Sequence, residues 1–209
     1  DLKPANIMVG GYGEVMVVFA TWFLLLAAGS DEASMQAFIT REVVWTDWPV
    51  PVQAVILLLI SDVIQYWLHR MFHGRRLWKF HAIHHSPQQV DWMSSVRFHP
   101  VNFIFYSTIV VVLTHMMGFA PEVFALLIPF NILYSTMVHA NLNWTFGPLR
   151  YVFASPVFHR WHHTHTHEGG NRNFAPTFPF LDVLFGTFYM PEGKIPEIYG
   201  TDENDVPDN

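Results

Sequence analysis

The chain has 209 residues, and at 13% charged and 51% hydrophobic it holds about half the charge of a soluble domain. The length suits one domain and hardly two, and a formal net charge of −6 gives no footing for nucleic-acid binding. There is no cysteine, which excludes disulfides, thiolate metal sites, iron–sulfur clusters and a Cys nucleophile.

Residues 1–14 stand apart from the rest as an atypical N-terminal segment. "DLKPANIMVGGYGEVMVV" (1–18) resembles the catalytic loop of Ser/Thr protein kinases. By that motif Asp1 would be the base, Lys3 a phosphate contact and Asn6 a metal ligand. D-F-G is then due at 19–21, but the chain reads "FAT" and runs on into apolar sequence, so no kinase activity is expected. From residue 15 onward a single membrane domain is expected.

Four segments have the length and polarity of membrane helices, which need about 20 largely apolar residues. The first, 15–30, is the weakest. The second, Trp48 to Leu68, contains one acid, Asp62. The third and fourth come from 98–121 and 123–149, with "GFAPE" (118–122) as the turn between them. If the four alternate, ten of the eleven Lys and Arg share one side and only Arg41 lies on the other. The positive-inside bias makes the ten-residue side cytoplasmic. Every histidine cluster falls on that side. The expected fold is therefore all-α and integral to the membrane: about four transmembrane helices with a cytoplasmic, histidine-rich helical cap. A bacterial inner membrane or an ER-type membrane would both suit it.

The histidines come in bursts. On a helix, positions i, i+4 and i+7 share a face, which puts Asp62, Tyr66, His69 and His73 in one row. His81, His84 and His85 have the i, i+3, i+4 relation, as do His159, His162 and His163. His139 ends the fourth segment, with Asn143 one turn beyond. Burying this much imidazole without partners would cost a few kcal/mol per unsatisfied group. Metal coordination removes the difficulty, and neutral imidazole suits Fe, Zn, Cu and Ni. Nine ligands exceed the three or four that one catalytic zinc takes, and would suit two ions. H-E-x-x-H is absent, since positions 70, 82 and 160 hold Arg70, Ala82 and Arg160. Two bis-His haems would use only four of the nine. His115, near the far end of the third segment, reads as an ordinary hydrogen-bonded histidine.

"DVIQYWLHRMFH", "LWKFHAIHHS", "RFHP" and "SPVFHRWHH…NFAPTFPFLDVLFGTFYMP" closely resemble the fatty acid hydroxylase/sterol desaturase superfamily over roughly residues 45 to 195. The resemblance implies four membrane helices and a cytosolic, histidine-bound di-iron centre that uses O₂ to hydroxylate or desaturate a lipid. It carries His69 and His73 onto the first motif, His81, His84 and His85 onto the second, and His159, His162 and His163 onto the third. His139 matches an additional ligand. Where some relatives have a further histidine this chain has Asn143, a candidate weak ligand or donor to one; His99, His165 and His167 are the alternatives.

Asp62 is expected to orient an imidazole, or else to act as a hydrogen-bond partner inside the helix. Asp182 is expected to do likewise, or to cap a short helix. Arg70, Arg75, Arg76 and Lys79 are expected at lipid headgroups. The resemblance further implies two Fe ions, with Zn a substitute as purified, and O₂ as co-substrate. No G-x-G-x-x-G opens a βαβ unit, so bound NAD or flavin is not expected and an external reductase, ferredoxin or cytochrome would supply electrons. The apolar third and fourth segments are candidate walls for a lipid substrate, or plain lipid-facing packing. Against the oxygenase stand a zinc-dependent membrane hydrolase, a non-catalytic metal-binding or transport protein, and an inactive relic.

Overall fold

A computed structural model describes residues 31–39 and 41–201 of the chain. The kinase-like stretch 1–18 and the expected first membrane segment 15–30 lie outside these residues. Among the described residues every regular element is helical. They divide into two compact units, one of the residues up to Ser61 with Phe103–Phe130, the other of Asp62–Asn102 with Asn131 onward.

In the first unit a short helix α1 (Glu32–Ile39) precedes α2 (Val50–Phe72), which continues into the second unit. Gln53 secures the start of α2: its amide donates to the Trp48 carbonyl at 2.8 Å and its oxygen accepts the Ala120 N–H at 3.2 Å. At 23 residues α2 is about 34 Å long, enough to cross a bilayer. It outruns the expected segment by one turn, and that turn carries His69. Helix α4 (Pro100–Met116, after α3 described below) opens on proline, where the missing N–H costs nothing, and the His99 ring accepts the Val101 N–H at 3.0 Å. Two residues beyond its end stands Gly118, whose φ of 72° is a left-handed value that glycine adopts without strain. Pro121 opens α5 (Pro121–His139), so "GFAPE" is the turn the sequence announced. Ala54, Leu57, Phe119, Val123 and Leu127 form this unit's core, and Trp45 stacks on Phe119 at 4.7 Å. His115 is an ordinary histidine, bonded to the Val111 carbonyl at 2.8 Å and stacked on Phe124.

Among the described residues two helices, α2 and α5, are long and apolar enough to cross a membrane. Helix α4, at 17 residues, is apolar but shorter. The fourth expected segment ends ten residues early, at His139. Asn141, Asn143, Gly147 and Pro148 follow, and Phe146 and Gly147 both take left-handed φ values, 58° and 52°, that no helix continues through. The exposed faces of α2 and α5 are apolar: Val55, Leu59, Val63 and Trp67 on α2, and Leu126, Ile132 and Leu133 on α5. A helix on the surface of a soluble domain turns polar residues outward.

The second unit is built from short elements. Helix α3 (Trp78–His85) is followed by a 3₁₀ turn at Trp92–Val96, whose start is fixed by reciprocal bonds between Asp91 and Ser94. A second 3₁₀ turn spans Gly147–Tyr151. Helix α6 (Pro156–His162) is capped by Ser155, which accepts the Phe158 N–H at 3.1 Å. A π turn at Thr166–Gly170 and helix α7 (Phe180–Leu184) complete the list. Gly170 is obligatory in that turn, since a Cβ there would sit 1.9 Å from the Thr164 carbonyl oxygen. One apolar cluster gathers Val138, Ala154, Val157, Phe158, Trp161 and Met190; another gathers Tyr66, Phe174, Ala175 and Leu181.

Candidate metal centre

Nine histidines of the second unit converge in two groups. His69, His73, His81, His85 and His162 form one, and His84, His139, His159 and His163 the other; within each, the facing ring nitrogens lie within 4.8 Å of one another. The division follows from helix geometry. Residues i and i+4 lie 40° apart around the axis, whereas i+3 lies 60° to the other side. So the pairs 69/73, 81/85 and 159/163 each enter one group, while His84 and His162, at i+3, cross to the other. The groups abut, with the His85 and His163 rings stacked at 4.4 Å.

Five of the rings are aimed from behind. His69 Nδ1 donates to the Phe174 carbonyl at 2.8 Å, His81 Nδ1 to Asn102 Oδ1 at 2.7 Å, and His84 Nδ1 to the Arg97 carbonyl at 3.1 Å. His139 Nδ1 donates to the Ser135 carbonyl at 2.7 Å and His162 Nδ1 to the Arg172 carbonyl at 2.6 Å. A carbonyl can only accept, so Nδ1 carries the proton and Nε2 presents a bare lone pair. The Phe98 ring stacks on His84 at 4.5 Å, which accounts for the "RFHP" stretch.

The bare nitrogens then meet each other. His69 Nε2 lies 3.1 Å from His81 Nε2, and His84 Nε2 lies 3.3 Å from His139 Nε2. No hydrogen bond is available between two lone pairs. Nor can protons repair the contact, because burial holds His81 down to about 3 and keeps His84, His85, His159, His162 and His163 well below the ordinary imidazole value, with neighbouring imidazoles adding to it. Nε2 of His73 and His162 are buried without any partner. A cation between the nitrogens resolves all of this. Metal–imidazole bonds of about 2.1 Å at right angles put neighbouring nitrogens about 3.0 Å apart, and the five Nε2–Nε2 separations run from 2.9 to 3.3 Å. The residues fit a metal in each group.

The remaining sequence candidates stand elsewhere. Asp62 orients no imidazole: its two oxygens accept the Thr177 and Phe178 N–H groups, both at 2.9 Å. Its i+7 relation to His69 is real, but a loop 115 residues away occupies it. Asp182 accepts the Phe174 N–H at 2.7 Å, the Ala175 N–H at 2.9 Å and the Thr187 hydroxyl at 2.7 Å. Burial pushes its carboxyl up to about 6, and those donors oppose the shift. It thus acts on His69 at one remove, through the Phe174 carbonyl. Asn143 is exposed, beyond the end of α5, and its oxygen accepts from Arg160 at 3.2 Å. His99 caps α4, His167 is exposed, and the His165 carbonyl closes the π turn; none belongs to either group.

Three residues carry weight that no spacing announced. Asn102 sets the His81 tautomer. Asn173, at a left-handed φ of 57°, bonds the Phe158 and Tyr189 carbonyls and the Tyr189 N–H, joining the third motif to the chain after it. Arg160 is buried between His159 and His162, and its guanidinium donates to Tyr199 Oη at 2.6 and 2.9 Å and to the Leu142 carbonyl at 3.1 Å.

Apolar-faced helices and two nests of imidazole, each with a donor set suited to a cation, are the features of a class of helical protein. The chain belongs to the fatty acid hydroxylase family, whose model matches residues 54–187. It is 32% identical over 149 residues to an ornithine lipid hydroxylase of Rhizobium tropici, covering 70% of this chain and 45% of that one. An alkylglycerol monooxygenase of Danio rerio is 32% identical over 161 residues, 75% of this chain and 33% of the other. A very-long-chain aldehyde decarbonylase of Oryza sativa subsp. indica is 29% identical over 148 residues, 67% and 54%. The chain thus spans about a third to a half of the length of these curated relatives. No solved structure matches it.

Proposed function

We propose that this chain is an oxidoreductase that hydroxylates or desaturates a lipid with O₂ at a di-iron centre, held by His69, His73, His81, His85 and His162 on one side and His84, His139, His159 and His163 on the other. The observation that carries it is the set of bare, neutral Nε2 atoms facing one another at cation-binding separations. Imidazole-only donors suit Fe, Zn, Cu and Ni alike. The choice of iron is supported by family membership and by relatives named as a lipid hydroxylase and an alkylglycerol monooxygenase. When bound, the irons would supply the oxygen activation and one-electron chemistry that side chains cannot.

The chain's own residues supply position and dryness. Phe174, Asn102, Arg97, Ser135 and Arg172 hold protons on Nδ1 so that Nε2 points inward, and such partners are worth about 10–100-fold in metal affinity. Eight of the nine rings are buried, which keeps water from the site. The lipid would enter from a bilayer crossed by α2 and α5, with α4 and the segment 15–30 completing four spans; the apolar exposed faces of α2 and α5 support this. The excess of Lys and Arg on the histidine side supports a cytoplasmic cap. An external ferredoxin, cytochrome or reductase would deliver the electrons.

The test is metal content together with oxygen uptake on detergent-purified protein, with His84→Ala as control. About two irons per chain are expected, one of them lost in the variant, with reductant-dependent O₂ consumption. Zinc alone, with no O₂ consumption after reconstitution with iron, would overturn the oxygenase in favour of a hydrolase.

A further inference from the structure

The second unit presents an apolar surface that the metal centre does not use. It is formed by residues 147–153 and 180–185, two short helical stretches brought together by the Ala154 N–H bond to the Thr177 carbonyl at 2.8 Å and by the Tyr151–Phe188 ring contact at 5.1 Å. Leu149, Val152 and Phe153 on one stretch, and Phe180, Val183 and Leu184 on the other, are all exposed, Leu184 at 70%. Contiguous apolar exposure on this scale marks a contact surface rather than scatter.

Its charge pattern selects the partner. From 140 to 158 the only Asp, Glu, Lys or Arg is Arg150, and from 176 to 191 it is Asp182, which is fully buried. The patch therefore shows no acid and one cation, whose guanidinium lies over the Tyr151 ring at 4.9 Å. Aliphatic and aromatic side chains edged by a basic residue are the composition of helices that lie at the boundary of headgroups and acyl chains. The patch also runs into α2: the Phe185 ring meets Trp67 at 4.9 Å, and Trp67 continues the exposed row of Val63 and Met71.

We propose that residues 147–153 and 180–185 form an interfacial surface by which the histidine-bearing unit rests in the bilayer, continuous with the lipid-facing side of α2. This rests on the membrane placement proposed above and adds a second, non-spanning contact to it. Because Ala154–Trp161 and Phe174–Leu181 lead directly from these stretches to the histidine groups, the surface fixes the height of the metal centre above the acyl chains.

A chain without cysteine accepts single labels cleanly. Nitroxides at Val152→Cys and Leu184→Cys, with Leu59→Cys at mid-helix and Lys194→Cys in water as references, would be read in phosphatidylcholine/phosphatidylglycerol vesicles by collision with O₂ and with a water-soluble nickel chelate. All four side chains are exposed or nearly so, so the fold should survive. For labels seated in the boundary, the O₂-to-nickel ratio at 152 and 184 should exceed that at 194 by about threefold or more. A ratio equal to that at 194 overturns the proposal. So does shielding from both agents, which would mean a protein partner or a second copy covers the patch. If the label at 59 also behaves as in water, the membrane placement itself fails; if 59 reads as lipid and 184 as water, only the interfacial surface does.

Discussion

Asp182→Asn isolates what one buried carboxylate does for the centre. Oδ1 of Asp182 accepts the Phe174 N–H and the Thr187 hydroxyl, and Oδ2 accepts the Ala175 N–H. An asparagine has nearly the same shape but a single acceptor. Placed toward Phe174, its oxygen leaves the amide facing the Ala175 N–H; turned over, it leaves the amide facing the Phe174 N–H. Thr187 can rotate its hydroxyl to suit either, but a main-chain N–H cannot. One buried donor is therefore orphaned in both orientations, at about 1–3 kcal/mol, and the surviving bonds lose their charge assistance, for a total of about 2–4 kcal/mol. At about 2–4 °C per kcal/mol for a chain of this size, the midpoint of thermal unfolding should fall by roughly 5–15 °C. Since the Phe174 carbonyl holds His69 at 2.8 Å, metal should also leave the five-histidine group faster on dilution into chelator. Thermal scans in nanodiscs and chelator-release kinetics read both effects. An unchanged midpoint with unchanged release would mean the 174–178 loop is held by something other than this carboxylate.

Asn102→Leu should weaken metal binding by about 10–100-fold, because His81 Nδ1 loses its acceptor, while Asn102→Asp should retain most of it; competition titration measures the difference. In the metal-free protein, His81 is held down to about 3 in the fold against 6.5 unfolded, so the unfolded chain binds the extra proton between those values. Stability is intact above pH 6.5 and should fall as pH drops toward 3, by up to about 1.4 kcal/mol per pH unit for each histidine held neutral. Metal-loaded protein should hold its midpoint to lower pH. Arg160→Gln removes the guanidinium bonds to Tyr199, Leu142 and Pro196, and trypsin should then cut at Lys194 faster than in the parent chain.

The nine histidines and their helical spacing were legible because imidazole is rare enough for three spaced clusters to stand out. Which ion each would face was not read from spacing, although the i+3 residue of each HxxHH run crosses over by simple helix geometry. Asp62 looked like a partner for His69 because a helical row cannot show what approaches it from elsewhere in the chain, and the Thr177 and Phe178 amides do. Asn143 looked one turn from His139 only on the assumption that the helix continued past Asn141 and Gly147. The orienting groups of His69, His84 and His162 are main-chain carbonyls, which every residue possesses and no side-chain pattern can mark. Asn102 carries a side-chain acceptor, but nothing about an asparagine at the start of an apolar helix distinguishes it.

The loop pinned by Asp62 and Asp182 also imposes an order of assembly. His69 and His73 leave the ribosome about a hundred residues before Phe174, whose carbonyl gives His69 its tautomer. His162 likewise waits for the Arg172 carbonyl. Asp62, already committed to its helix, has no amides to receive until Thr177 and Phe178 are made. A nascent chain stopped short of Arg172 would have His81, His84 and His139 already aimed by Asn102, Arg97 and Ser135, but not His69 or His162, so the five-histidine group is completed only when the 172–178 stretch is made.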